Sequence, residues 1–255
     1  MMIPNETDPL STPEHNARHA LDSDRSAAGK PDHLYLRATV SCLVLLIVMS
    51  LLLFVCAGTV AYPEGWNYLA LSGLSGAGIT LYLMKKDPSL LRRRMRGGPT
   101  AERQPKQKII QLIAGIGYFG ALAVPAAVRR AGWPALPLWA VIAGDAVYLA
   151  GNSLIFLVCR VNPFAASTIG IAPGQTVVSD GPYAVVRHPM YAGALLMMAA
   201  MPLTLGSLAG FLPSAVVVLA MVWRLLEEEK FLAVNLPGYG QYMRNVPHRL
   251  LPGFW

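Results

Sequence analysis

From Ala38 to Pro63 the chain carries no charged residue, and the stretch VSCLVLLIVMSLLLFVCAGTVAY inside it is longer than the roughly 20 residues a helix needs to cross a hydrocarbon core. A segment like this dictates its solvent. In lipid every backbone N–H and C=O must be paired within the segment, so the run can only be a helix. It has company: Trp66–Met84, Ile109–Val128 and Met190–Trp223 are also free of charge, and Trp133–Val158 holds a single acid, Asp145. Only 14% of the residues are charged, against about a quarter in ordinary soluble domains. These runs predict an all-α integral membrane protein with four transmembrane helices, at 38–63, 66–84, 109–128 and 133–158.

The last long run breaks the pattern. Pro202, Gly206, Gly210 and Pro213 cluster at the centre of Met190–Trp223, and proline and glycine together mark a turn rather than one straight helix. Two helices, about 189–205 and 209–226, are expected as a C-terminal helical hairpin. Residues 1–33 are polar and rich in Pro, Ser and Asp, without an apolar signal region, and are expected to form a disordered tail. Residues 34–160 then hold the N-terminal transmembrane helices, and 161–255 form a C-terminal core with hairpin and lid.

Charge sets the orientation. The net charge is +7, and nine Lys and Arg lie between Lys85 and Lys108. Basic residues beside apolar spans follow the positive-inside rule and call for no polyanion, so no nucleic-acid partner is expected. That loop, both termini and the polar segments flanking the hairpin are expected on the cytoplasmic side, facing a lipid bilayer as the main partner. Cys42, Cys56 and Cys159 lie in or beside apolar runs with no metal-ligand spacing, so neither a disulfide framework nor a metal site is suggested.

The polar residues gathered at one membrane face carry a family resemblance. GPYAVVRHPMYAG (181–193), RLLEEEKFL (224–232) and GYGQYMRNVPHRLLPGFW (238–255) together resemble the isoprenylcysteine carboxyl methyltransferase family, whose pattern is G-x-Y-x-x-x-R-H-P-x-Y-x-G, then R-x-x-x-E-E-x-x-L, then Y-x-x-Y-x-x-x-V-P. Related phospholipid methyltransferases share this C-terminal core. The resemblance implies S-adenosylmethionine as cofactor and a lipophilic or prenylated acceptor, most like a prenylcysteine-type carboxylate. It carries the cofactor site onto Gln175, Thr176, Val177, Val178, Tyr183, His188, Pro189, Met190, Tyr191 and Glu228. Arg224 takes the substrate-binding and catalytic position, since a guanidinium clamps a carboxylate through two hydrogen bonds. It stands four residues before Glu228, on the same helix face.

These residue types suit the reaction. Methyl transfer from a sulfonium is an in-line displacement that asks mainly for positioning and exclusion of water. Extended backbone and a helix N-terminus can hold adenine and a carboxylate, and a glutamate can accept from ribose hydroxyls or an ammonium. A carboxylate acceptor needs no base; an amine or thiol would need one, and Glu228, Glu229 or His188 is then the candidate. Plainer roles are expected for the remaining polar residues. Glu227 and Glu229 read as a solvated face, Tyr239 and Tyr242 as packing for the lid, and Asp145 as a buried structural pair rather than a catalytic acid. Two alternatives stay open. One is a phospholipid or small-amine or thiol methyltransferase; the other is an NADPH-dependent sterol-type reductase, which also carries an R-H-P-x-Y block. The E-E-x-x-L match and the tract LPGYG speak against the reductase.

Overall fold

A computed structural model describes residues 31–102 and 104–255 of the chain; the expected tail lies almost wholly outside them. The chain divides into two compact units, residues 1–40 and 41–255. The described part of the first unit is helical throughout. Among the described residues there is no strand, and the expected all-α class holds.

The helices are α1 Pro31–Ala57, α2 Pro63–Lys86, α3 Pro88–Met95, α4 Pro105–Arg130, α5 Leu138–Val161, α6 Pro189–Thr204, α7 Phe211–Asn235 and α8 Tyr239–Asn245. Among the described residues four segments are long and apolar enough to cross a bilayer: His33–Ala57, Pro105–Arg130, Leu138–Val161 and Leu208–Asn235. Their membership differs from expectation in one place. The segment expected as the second span is a 24-residue helix, α2, but falls outside the four. Its polar groups explain why: Ser72 and Ser75 return their hydroxyls to the carbonyls of Tyr68 and Leu71, and Asn67 donates to both carboxylate oxygens of Asp145 at 2.9 Å. Asp145 thus has its structural partner on α2. The second arm of the hairpin joins the apolar set instead.

That hairpin forms where the proline and glycine cluster predicted it. Gly206 takes a left-handed φ of +68°, which an L side chain adopts only with strain, and Tyr62 donates its hydroxyl to Leu205 O at 2.7 Å. The first arm ends at Thr204 as expected, but α7 runs on to Asn235 rather than stopping near 226. EEEKFLAVN contains no breaker, so the helix continues past the apolar region, and Arg224 and Glu228 stand in mid-helix.

Glycines draw α5 and α6 together. A Cβ on Gly151 would lie 2.5 Å from Gly193 O, and one on Gly193 would lie 2.6 Å from Gly151 O. Small residues allow this approach of backbones, which matters in lipid, where hydrophobic burial between helices contributes little. The main core, built on Leu53, Tyr68, Leu122 and Met201, fills the space between α1, α2, α4 and α6. The pairing of α5 with α6 sets the height of the α6 N-terminus, where the Arg-His-Pro block sits.

Candidate active site

Three segments distant in sequence meet beside the first turn of α6. His188 is its N-cap residue and Pro189 begins the helix, as a proline at the first helical position should. The backbone amides of Arg187 and His188 donate to the carbonyls of His248 and Arg249, both at 2.9 Å, so the C-terminal segment runs beside the block. Arg187 is buried. Its Nη2 lies 2.6 Å from Glu229 Oε1, its Nη1 donates to Val246 O at 2.8 Å, and Arg249 Nε reaches the other Glu229 oxygen at 2.5 Å. The expectation that Glu229 belongs to a solvated face is therefore corrected. It is only 6% exposed and clamped between two guanidinium groups. Two residues earlier, about 200° around the helix, Glu227 meets Lys230 at 2.9 Å and Lys106 at 3.9 Å.

Above this clamp opens a cavity of about 640 Å³, inside the range of roughly 300 to 1,000 Å³ occupied by small-molecule sites. Gln175, Thr176, Val177, Val178, Tyr183, His188, Met190, Tyr191, Arg224 and Glu228 all line it. Pro189 does not; it lies buried as the first residue of α6. Tyr239 and Tyr242 also line the cavity while packing the lid against Leu236 and Val246. Tyr242 donates its hydroxyl to Tyr183 O at 2.8 Å, and Asn162 donates to the Tyr183 hydroxyl at 2.7 Å.

The polar atoms on the wall are unevenly satisfied. Tyr191 donates its hydroxyl to Glu228 Oε2 at 2.6 Å. Arg224 does not meet Glu228 directly. Its guanidinium is taken by Glu102 at 2.6 Å, Gln107 at 3.0 Å and Ser167 O at 2.9 Å. By contrast His188 Nε2 and the Tyr239 hydroxyl are buried with no hydrogen-bond partner among the described residues. Burial pushes the imidazole of His188 down to about 4; Glu229 opposes the shift, and Arg187 and Arg249 add to it. At neutral pH the ring is therefore uncharged, with one nitrogen to donate and one to accept. Burial also raises Tyr242 to about 12 and lifts Tyr183 and Tyr239 above the usual phenol range. Buried polar atoms rarely stay unpaired. Two of them stand on one cavity wall with bonding capacity to spare.

Away from the polar wall the cavity continues between α4, α5, α6 and α7, lined by Ile110, Ala114, Met197, Met198, Val217 and Met221. One end is thus polar and assembled from loops, and the other apolar and walled by helices. Residues 139–237 match the phospholipid methyltransferase family. That family belongs to the group of membrane methyltransferases that includes the isoprenylcysteine carboxyl methyltransferases. The match indicates a methyltransferase, and the four apolar helices a membrane-bound one. No curated protein matches the chain. The methyltransferase match starts within α5 and ends just after α7, so Arg94, Glu102, Gln107 and the tyrosines of α8 lie outside it.

Proposed function

We propose that the protein methylates the amine of a lipophilic, phospholipid-type acceptor using S-adenosylmethionine, with the reaction on the cytoplasmic side of the membrane. The observation that carries this reading is the two-ended cavity. Its polar end offers His188 Nε2 and the Tyr239 hydroxyl without partners among the described residues, and its apolar end runs among Ile110, Met197 and Val217. The residues suit the cofactor. His188, Tyr239 and the segment Gln175–Val178 would hold its polar parts, Tyr183 and Tyr191 would pack on them, and Glu228 would face its cationic groups. When bound, S-adenosylmethionine supplies an electrophilic methyl group.

The chain's own contribution is positioning, desolvation and one proton transfer. The apolar helices hold the acceptor's tail so that its headgroup reaches the polar end. The lid built on Tyr239 and Tyr242 keeps water out, which leaves the nucleophile poorly solvated. An amine arrives as an ammonium and must lose a proton before it can attack. Glu228, held by the Tyr191 hydroxyl, is the carboxylate on the cavity wall suited to take it.

A second reading keeps the prenylcysteine-type carboxylate as acceptor, because Arg224 also stands on the cavity wall. It requires Arg224 to exchange Glu102 for the substrate, which makes the amine reading the simpler one. The test is purification in detergent followed by transfer from labelled S-adenosylmethionine to a panel of phosphatidylethanolamine, an alkylamine and a farnesylcysteine whose amine is blocked by acetylation. Labelling of the amines is expected. Labelling of farnesylcysteine alone would select the carboxylate reading, and a stabilising response to NADPH without any transfer would overturn both.

A further inference from the structure

Three arginines line the cavity, and their neighbours differ in kind. Arg187 is neutralised by Glu229 and Arg224 by Glu102. Among the described residues Arg94 has no carboxylate partner: its Nη1 lies 3.3 Å from Met190 Sδ and 3.4 Å from Ala165 O. A thioether is a weak acceptor, and 3.4 Å is long for a bond to a carbonyl. Most of the five donors of this guanidinium are unspent.

Its position is nonetheless built. Asp87 caps α3 by accepting from Leu90 N at 2.8 Å, and the buried Leu90 and Leu91 anchor the helix. Arg93 donates to Pro163 O, and Ser167 Oγ donates to Arg94 O at 2.8 Å. Two neighbouring residues are thus fastened to the segment after α5, and Arg94 is left aimed at the first turn of α6. The local charge balance is incomplete in a specific way. Once the paired glutamates and arginines cancel, the described residues of the cavity wall retain one cation, Arg94, and one carboxylate, Glu228.

We infer that Arg94 is the anion-binding residue of this cavity, taking a carboxylate or phosphate group of the bound molecules in its guanidinium fork. The inference rests on the methyltransferase reading for its choice of ligands. A guanidinium presents paired donors that match either anion. Two sources offer that chemistry: the amino-acid carboxylate of the cofactor, and the phosphate of a lipid acceptor. Arg94 would then act as a positioning residue drawn from the basic loop, outside the matched family segment.

Two arms distinguish the sources, using the full chain in detergent. In the first, calorimetry compares S-adenosylhomocysteine with methylthioadenosine, which lacks the carboxylate. In the second, melting curves compare phosphatidic acid with diacylglycerol in mixed micelles. Arg94→Gln is the test variant, and Arg92→Gln, on the same helix but off the cavity wall, controls for bulk charge. If Arg94 holds the cofactor, Arg94→Gln weakens S-adenosylhomocysteine tenfold or more and leaves methylthioadenosine unchanged. If it holds the lipid, the shift caused by phosphatidic acid disappears in Arg94→Gln and survives in Arg92→Gln. Arg94→Lys, which keeps the charge but not the fork, should retain part of either effect and serves if the glutamine variant does not fold. Unchanged binding in both arms, or equal losses in Arg92→Gln, would overturn the inference. Wild-type protein that ignores S-adenosylhomocysteine would instead sink the methyltransferase reading, while the lipid arm still decides the role of Arg94.

Discussion

Glu227, Glu228 and Glu229 are adjacent in sequence, yet each has a different physical task. Glu227 sits among lysines at the protein surface, Glu228 accepts from Tyr191 at the cavity, and Glu229 is closed between Arg187 and Arg249. Removing one member of a buried ion cluster leaves an uncompensated charge, typically at a cost of about 3 to 5 kcal/mol, whereas exposed pairs contribute about 1 kcal/mol or less. Glu229→Ala should therefore lower the melting temperature sharply and Glu227→Ala hardly at all; equal effects in a thermal scan would contradict the buried clamp. His188 sets a pH dependence of definite sign. Its folded value of about 4 lies below the 6.5 of a free imidazole, so the unfolded chain binds more protons between those values. Its contribution is complete above pH 6.5 and is lost as pH falls toward 4, by up to about 3 kcal/mol. Melting temperatures followed from pH 7 to 4 should fall, and His188→Asn should flatten that part of the curve.

Among the elements, α6 is where sequence and structure agree most closely and where the missing information is easiest to explain. The proline that starts it and the proline and glycine cluster that ends it act through local backbone chemistry, so both boundaries are legible in the residues themselves. That the motif residues share one cavity wall accords with the site that the family resemblance implies for them. The partners of Arg224 are not, because Glu102 is 122 residues away and reaches it only once α4 has packed on α7. Arg94 and Met190, 96 residues apart, are hidden for the same reason. The length of α7 was legible in principle: nothing in EEEKFLAVN stops a helix, but the end of the apolar run reads as the end of the element. The height of α6 depends on its contact with α5, and Gly193→Leu tests that dependence. The added side chain meets Gly151 O and the Ile155 side chain, and overpacking of this kind costs typically 1 to 3 kcal/mol. A lower melting temperature should accompany weaker S-adenosylhomocysteine binding, since the displaced helix carries His188 and Tyr191; unaltered affinity in calorimetry would separate the packing from the site.

At the scale of the whole molecule, charge and contact point to one polar face. The basic loop reaches the candidate site through Arg94 and Glu102, and the C-terminal segment through Tyr239 and Tyr242, so both are expected on the same side of the membrane. Cysteines introduced at Gly98 and Gly253 in a background lacking the native thiols should be labelled together by an impermeant maleimide; labelling from opposite sides would break the proposed topology. Ligand linkage supplies a second check. S-adenosylhomocysteine at a hundred times its dissociation constant should stabilise the fold by about 2.7 kcal/mol, with no matching response to NADPH. The pairing of Arg187 and His188 with the backbone at 248–249 also has a consequence for biosynthesis. Residues 246–249 are made after the four apolar segments of the described residues, so these can settle in the bilayer before the Arg-His-Pro block acquires its last partners. Insertion and activation become separate events, and a chain stalled during synthesis would be membrane-bound but inert.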